Sequence, residues 1–60
     1  MTDETWTLGM MIDVVEREIR QRHSVYPRLV VAGKMSQKNA DLQIAGMNAV
    51  LATLQRLRAS

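Results

Sequence analysis

The first half of the chain carries apolar residues at spacings of three and four, the repeat of a helix with one apolar face. Polar and charged residues fill most of the positions between them. The pattern predicts a helix over residues 7 to 22 or 23, with Glu16 and Arg20 as a favourable acid-to-base pair on its polar side. The apolar positions are Leu8, Met11, Ile12, Val15 and Ile19.

The second half of the chain repeats the pattern over about residues 37 to 58. Its apolar residues alternate spacings of four and three, which is the heptad seam of helices that pack along one another. Val50 and Leu57 widen this seam. The seam residues are Ala40, Ile44, Met47, Leu51 and Leu54.

The residues between the two helices predict a corner. Residues 24 to 26 are expected to be extended, because a residue that precedes proline disfavours the helical region. Pro27 suits the first position of a short helical turn, and Gly33 is expected to end that turn in the left-handed conformation. Ser36 is a good N-cap for the second helix.

The fold class that follows is all-α: two amphipathic helices joined by a short proline-started helical turn, folded as a helical hairpin. Residues 1–60 form one small domain, with residues 1–6 expected to be flexible. A core of this size supplies only about 3–5 kcal/mol, and the chain has no cysteine for a disulfide. We therefore expect a homodimeric bundle or a higher oligomer, with the pairing of helices within or between protomers left open. The predicted dimerisation residues are Leu8, Met11, Val15, Ile19, Ile44, Met47, Leu51 and Leu54.

Charge is distributed unevenly along the chain. Residues 1–18 hold five acids and one base, whereas residues 19–60 hold one acid and seven bases. The bases near the corner, together with His23 and Tyr26, are the predicted partner-binding residues and are called the basic corner below. Its members are Arg17, Arg20, Arg22, His23, Tyr26, Arg28, Lys34 and Lys38.

Three interpretations of the basic corner stay open at this point. It binds an acidic protein surface, it holds nucleic-acid phosphates with Tyr26 stacked on a base, or it is solvated or pairs with the acidic half of another copy. Residues 29 to 44 also have a weak likeness to a DNA-reading helix-turn-helix. Against that likeness, the spacing from Gly33 to Ser36 is one residue too long and the second helix is long and largely apolar.

Other classes of protein are disfavoured by the sequence. The chain has one histidine, no cysteine and no glycine-rich phosphate loop, so neither an enzyme nor a metal or cofactor site is expected. No apolar run approaches the length of about 20 residues that crosses a bilayer. The N-terminal residues lack the basic region of a signal peptide, so a cytoplasmic protein is expected.

One stretch of the sequence resembles a known pattern. Over residues 16–51, a basic helix ends in Val25-Tyr-Pro-Arg28, and Gly33-Lys-Met-Ser36, Ala40, Ile44 and Met47 follow. This arrangement is similar to small proteins of tailed phages and prophages. The resemblance implies a phage or prophage setting in a bacterial host and no particular activity. It implies a protein that acts by binding host or phage macromolecules, as a regulator or an inhibitor.

Overall fold

The computed structural model describes residues 5–60, and these form two helices that pack against each other as a hairpin. The first helix, α1, spans Leu8–Val31, and the second, α2, spans Gln37–Ala59. The described residues contain no strand. The prediction of an all-α helical hairpin is therefore confirmed, whereas the dimer stays a prediction. The expected flexibility of residues 1–4 falls outside the described residues.

Both helices begin with a hydroxyl cap. Thr7 has an extended backbone and its side-chain oxygen accepts a hydrogen bond from the Met10 N–H at 3.1 Å. Ser36 does the same for the Asn39 N–H at 3.0 Å. Each cap satisfies one of the N–H groups that a helix leaves without an internal partner. The predicted cap at Ser36 is confirmed.

The end of α1 is closed by Gly33, which has a positive φ of 74°. The Gly33 N–H donates to the Val30 carbonyl at 3.0 Å, and the Lys34 N–H donates to the Leu29 carbonyl at 2.9 Å. These two bonds are those of a Schellman motif, which uses a left-handed residue just after the helix. The left-handed turn predicted at Gly33 is confirmed.

Replacing Gly33 by valine is expected to destabilise the protein by roughly 1–2 kcal/mol, because a β-branched side chain is strained at this φ. Nothing lies within 4 Å of the Cβ position of Gly33, so the effect comes from the backbone and not from a clash. Gly33→Asn is the matched control, since asparagine tolerates the left-handed region. Urea unfolding should rank wild type first, Gly33→Asn second and Gly33→Val last. Equal midpoints for the two variants would contradict this account.

The predicted break before Pro27 is wrong. Pro27 lies inside α1, which continues to Val31. A proline there has no N–H for the His23 carbonyl. One residue further on, the Arg28 side chain donates from Nε to the Ser24 carbonyl at 3.3 Å and from Nη2 to the Ser24 Oγ at 3.1 Å.

Packing explains why the helix continues through Pro27. In a continuous helix, Tyr26 and Val30 fall on the same side as Ile12. Both side chains are half-buried, as are Val25 and Leu29 beside them. A break at residue 24 would remove Tyr26 and Val30 from the face that meets α2. Tertiary contact therefore outweighs the local preference.

The core of the hairpin is thin. Ile12 and Ala40 are the buried hydrophobic residues, with 3% and 2% of their surfaces exposed. All eight predicted dimerisation residues are half-buried, so the hairpin alone does not close them off from solvent. The Cα positions extend over 40 × 26 × 14 Å, which is one layer of helices. Domains ordinarily stack at least two layers around a core. Residues 5–60 of a single chain form only one.

Candidate functional site

The turn end of the hairpin is formed by the last turn of α1, the loop and the first turn of α2. It carries Arg28, Lys34 and Lys38, and all three are exposed. The partial positive charge at the start of α2 is offset by the partial negative charge at the end of α1, so the net charge of the turn end is that of these three side chains. The turn end therefore has a positive potential.

Arg17, Arg20 and His23 lie further back along α1 and are also exposed. From Arg17 to Arg28 the helix rises by about 16 Å. The exposed members of the basic corner thus form an elongated strip that has the turn end at one extremity, and not a compact patch. None of its exposed cations forms an ion pair with a carboxylate among residues 5–60.

Arg22 differs from the other members of the basic corner. Its Nη1 donates to Glu18 Oε1 at 2.9 Å and to the Glu18 carbonyl at 3.3 Å. Interaction with Glu18 first, and then with Tyr26, raises the pKa of Arg22 above its usual range. Its guanidinium is therefore already engaged within the chain. The structure pairs Glu18 with Arg22, and the pair predicted between Glu16 and Arg20 is not formed.

Tyr26 is likewise half-buried, beside Arg22 and Val25. Stacking on a base requires an open aromatic face. The ring of Tyr26 has part of its surface covered by its own chain, so it is a poor platform for a base. Trp6, which is 45% exposed, is the more open aromatic side chain, but it precedes α1 and lies outside the basic corner.

A groove of about 340 Å³ runs between the helices next to the turn end. Pro27, Val30 and Ile44 give it an apolar lining, and His23 and Asp41 are polar residues on its walls. Sequence reasoning missed this groove because residues from two helices form it. The spacing of His23, Pro27 and Val30 is that of one helical face, and it becomes visible once α1 is extended through the proline.

Polar side chains of α2 are held in place along the groove. Gln37 Nε2 donates to Asp41 Oδ1 at 2.9 Å, across one turn of the helix. Asp41 is the one acid in residues 19–60. Asp41 forms no ion pair with a cation of the basic corner among residues 5–60.

A second set of apolar side chains is open to solvent away from the groove. The exposed fractions are 44% for Met10, 39% for Val14, 46% for Val50 and 55% for Leu57. Around Val50, a depression of about 280 Å³ is lined by Ala49, Thr53 and Leu54. The sequence placed Val50 and Leu57 at the margins of the second apolar face. The structure shows that a single hairpin leaves these margins uncovered.

Among residues 5–60, no group of three or more histidine, cysteine or acidic side chains is placed to hold a metal ion. Neither α1 nor α2 has an apolar stretch long enough to cross a bilayer. Comparisons with protein-family models, with curated proteins and with solved structures found no match for this chain.

Proposed function

We propose that this chain is a small non-catalytic binding protein of the phage type, which regulates or inhibits a host or phage protein in the bacterial cytoplasm. It acts as a helical homo-oligomer and uses the basic corner to hold an acidic surface of its partner. One observation carries the proposal: five exposed cations of the basic corner have no acidic partner within residues 5–60. They are Arg17, Arg20, Arg28, Lys34 and Lys38.

The groove beside the turn end adds a means of specificity. Exposed charges mainly steer and orient a partner, whereas affinity comes from a few side chains that fill desolvated pockets. The apolar lining at Pro27, Val30 and Ile44 offers such a pocket. An apolar side chain of the partner would enter the groove while neighbouring carboxylates meet Arg20 and Arg28.

Nucleic-acid binding through the same cations is the second candidate. Their positive charge supports it, because phosphates are held by the same chemistry as carboxylates. The partly covered ring of Tyr26 gives it less support. A helix-turn-helix would also need two helices at about 90–120° joined by a short turn, whereas α2 packs back along α1. The binding of a protein is therefore the preferred proposal.

The test is capture of proteins from a bacterial lysate on immobilised wild-type chain and on a Lys34→Glu/Lys38→Glu variant. A partner of the turn end should be retained by wild type, lost from the variant, and released as salt rises. Arg56→Glu/Arg58→Glu is the matched control, because it makes the same change of charge near the end of α2. A protein retained equally by all three chains would contradict the proposed use of the basic corner.

Fluorescent single- and double-stranded DNA, measured at two salt concentrations, separates the two candidates. We expect no binding at low salt that depends on Lys34 and Lys38. Affinity that falls steeply with salt, and that the Lys34→Glu/Lys38→Glu variant loses while the control keeps it, would establish the nucleic-acid function instead.

A further inference from the structure

One edge of α1 has a sequence that is symmetric about the level of Arg20, a residue that itself lies on the opposite side of the helix. Glu18 and Arg22 lie two residues on either side of it, and apolar residues continue the symmetry outward. Val15 and Val25 are each five residues from Arg20, and Met11 and Leu29 are each nine. Val14 and Tyr26 are each six residues away. Among these eight residues, each apolar one is thus matched by an apolar one, and the acid is matched by the base.

These residues share one side of the helix. At about 100° per residue, they fall within roughly a third of its circumference. None of them is buried by α2: Val14 is exposed and the others are half-buried. The Glu18–Arg22 ion pair, at 2.9 Å, marks the centre of this edge. The side chains of Arg22 and Glu18 are 28% and 42% exposed, so both remain accessible to another molecule.

We propose that this edge binds the same edge of a second copy. The two α1 helices are then antiparallel, and the two-fold axis passes between them at the level of Arg20. Such an isologous contact brings each residue against its symmetric counterpart. Met11 then packs on Leu29 of the second copy, and Val15 packs on Val25. Glu18 of each copy faces Arg22 of the other, which joins the two ion pairs into a ring of four charges.

Charge also selects this arrangement over the alternative in which both turn ends lie at the same end of the dimer. That alternative gathers Arg28, Lys34 and Lys38 of both copies in one place, where like charges repel. The antiparallel arrangement puts the two turn ends at opposite ends of the dimer. The second copy also supplies the second layer that a single hairpin lacks. The inference rests on the proposed self-association and adds its partner surface and register.

A charge-swap experiment separates pairing between chains from pairing within one chain. Glu18→Arg leaves two cations at the centre of the edge, and Arg22→Glu leaves two carboxylates. Each variant alone should dissociate at roughly tenfold higher concentration than wild type, because like charges meet across the axis. An equimolar mixture should form the heterodimer preferentially, which native mass spectrometry measures directly. A statistical mixture would overturn the proposal, since a bond confined to one chain is broken in both variants.

Cysteine cross-linking tests the register, and the natural chain contains no cysteine to interfere. In Val15→Cys/Val25→Cys the two thiols of one chain are about 15 Å apart along the helix, too far for an internal disulfide. Oxidation should therefore give covalent dimers in near-complete yield. Glu16→Cys/Ser24→Cys is the matched control, because these positions are also symmetric about Arg20 but lie on the other side of α1, and it should stay uncross-linked.

Sedimentation equilibrium of the wild-type chain measures its oligomeric state, and this separates a wrong register from a lack of self-association. A dimer together with the Val15–Val25 cross-link supports the inference. A dimer without that cross-link overturns the register and leaves the proposed self-association intact. A monomer at millimolar concentration overturns both. Capture of a partner through Lys34 and Lys38 is measured separately and depends on neither result.

Discussion

Replacing Ile12 by alanine is expected to remove most of the stability of the fold. Among residues 5–60, Ile12 is the one large side chain that the hairpin buries, with 3% of its surface exposed. Truncating a buried isoleucine to alanine costs about 2–5 kcal/mol, because apolar contacts are lost and a cavity remains. A chain of this size has only about 3–5 kcal/mol to lose. Far-UV circular dichroism during heating should show an early, broad transition or none.

Leu42→Ala provides the comparison for Ile12→Ala, because Leu42 lies on α2 with 67% of its surface exposed. Its truncation should change the free energy of unfolding by no more than about 0.5 kcal/mol. Both variants must be measured at one protein concentration, since association adds to the apparent stability. Similar melting of Ile12→Ala and wild type would mean that the core does not lie where the structure places it.

Replacing Pro27 by alanine is expected to stabilise the protein. Inside a helix, proline costs about 3 kcal/mol, because it lacks an N–H and its ring crowds the carbonyl of the preceding turn. Alanine would restore the hydrogen bond to the His23 carbonyl. The unfolded chain gains freedom when proline is removed, which offsets about 0.4–1 kcal/mol. The net gain is about 2 kcal/mol, or roughly 10 °C in Tm.

Pro27→Gly gives the graded control. Glycine also restores the N–H, but it is about 1 kcal/mol less favourable than alanine inside a helix. The order of Tm should be Pro27→Ala, then Pro27→Gly, then wild type. A loss of stability in Pro27→Ala would contradict a continuous α1 and would favour a break before the proline, because proline is well suited to the first position of a new helix.

The parts of the fold that the sequence predicted correctly depend on local chemistry. Gly33 ends α1 in the left-handed conformation and Ser36 caps the start of α2. Each role depends on a few neighbouring residues, so it can be predicted without knowledge of the rest of the chain. Pro27 is the opposite case. The same kind of local rule predicted a break there, and it was wrong because Tyr26 and Val30 contribute to a face that only the packed hairpin defines.

The candidate site likewise has features that local rules predict and features that they do not. Exposure of Arg28, Lys34 and Lys38 follows from the usual position of cations at a surface. The pairing of Arg22 with Glu18 was missed although its spacing equals that of Glu16 and Arg20, because spacing alone does not show which of several such pairs forms. The groove beside Pro27 was inaccessible to sequence reasoning for another reason, since its walls belong to residues that are distant in the chain.

The thin core bears on how long the chain survives in a cell. A hairpin that closes off only Ile12 and Ala40 loses little when it opens, and proteases cleave such transiently opened states in proportion to their population. If the edge of α1 binds a second copy as proposed, that contact lowers the population of opened chains by mass action. Chains below the concentration needed for association would then be removed first. The amount of this protein would therefore respond steeply to its rate of synthesis.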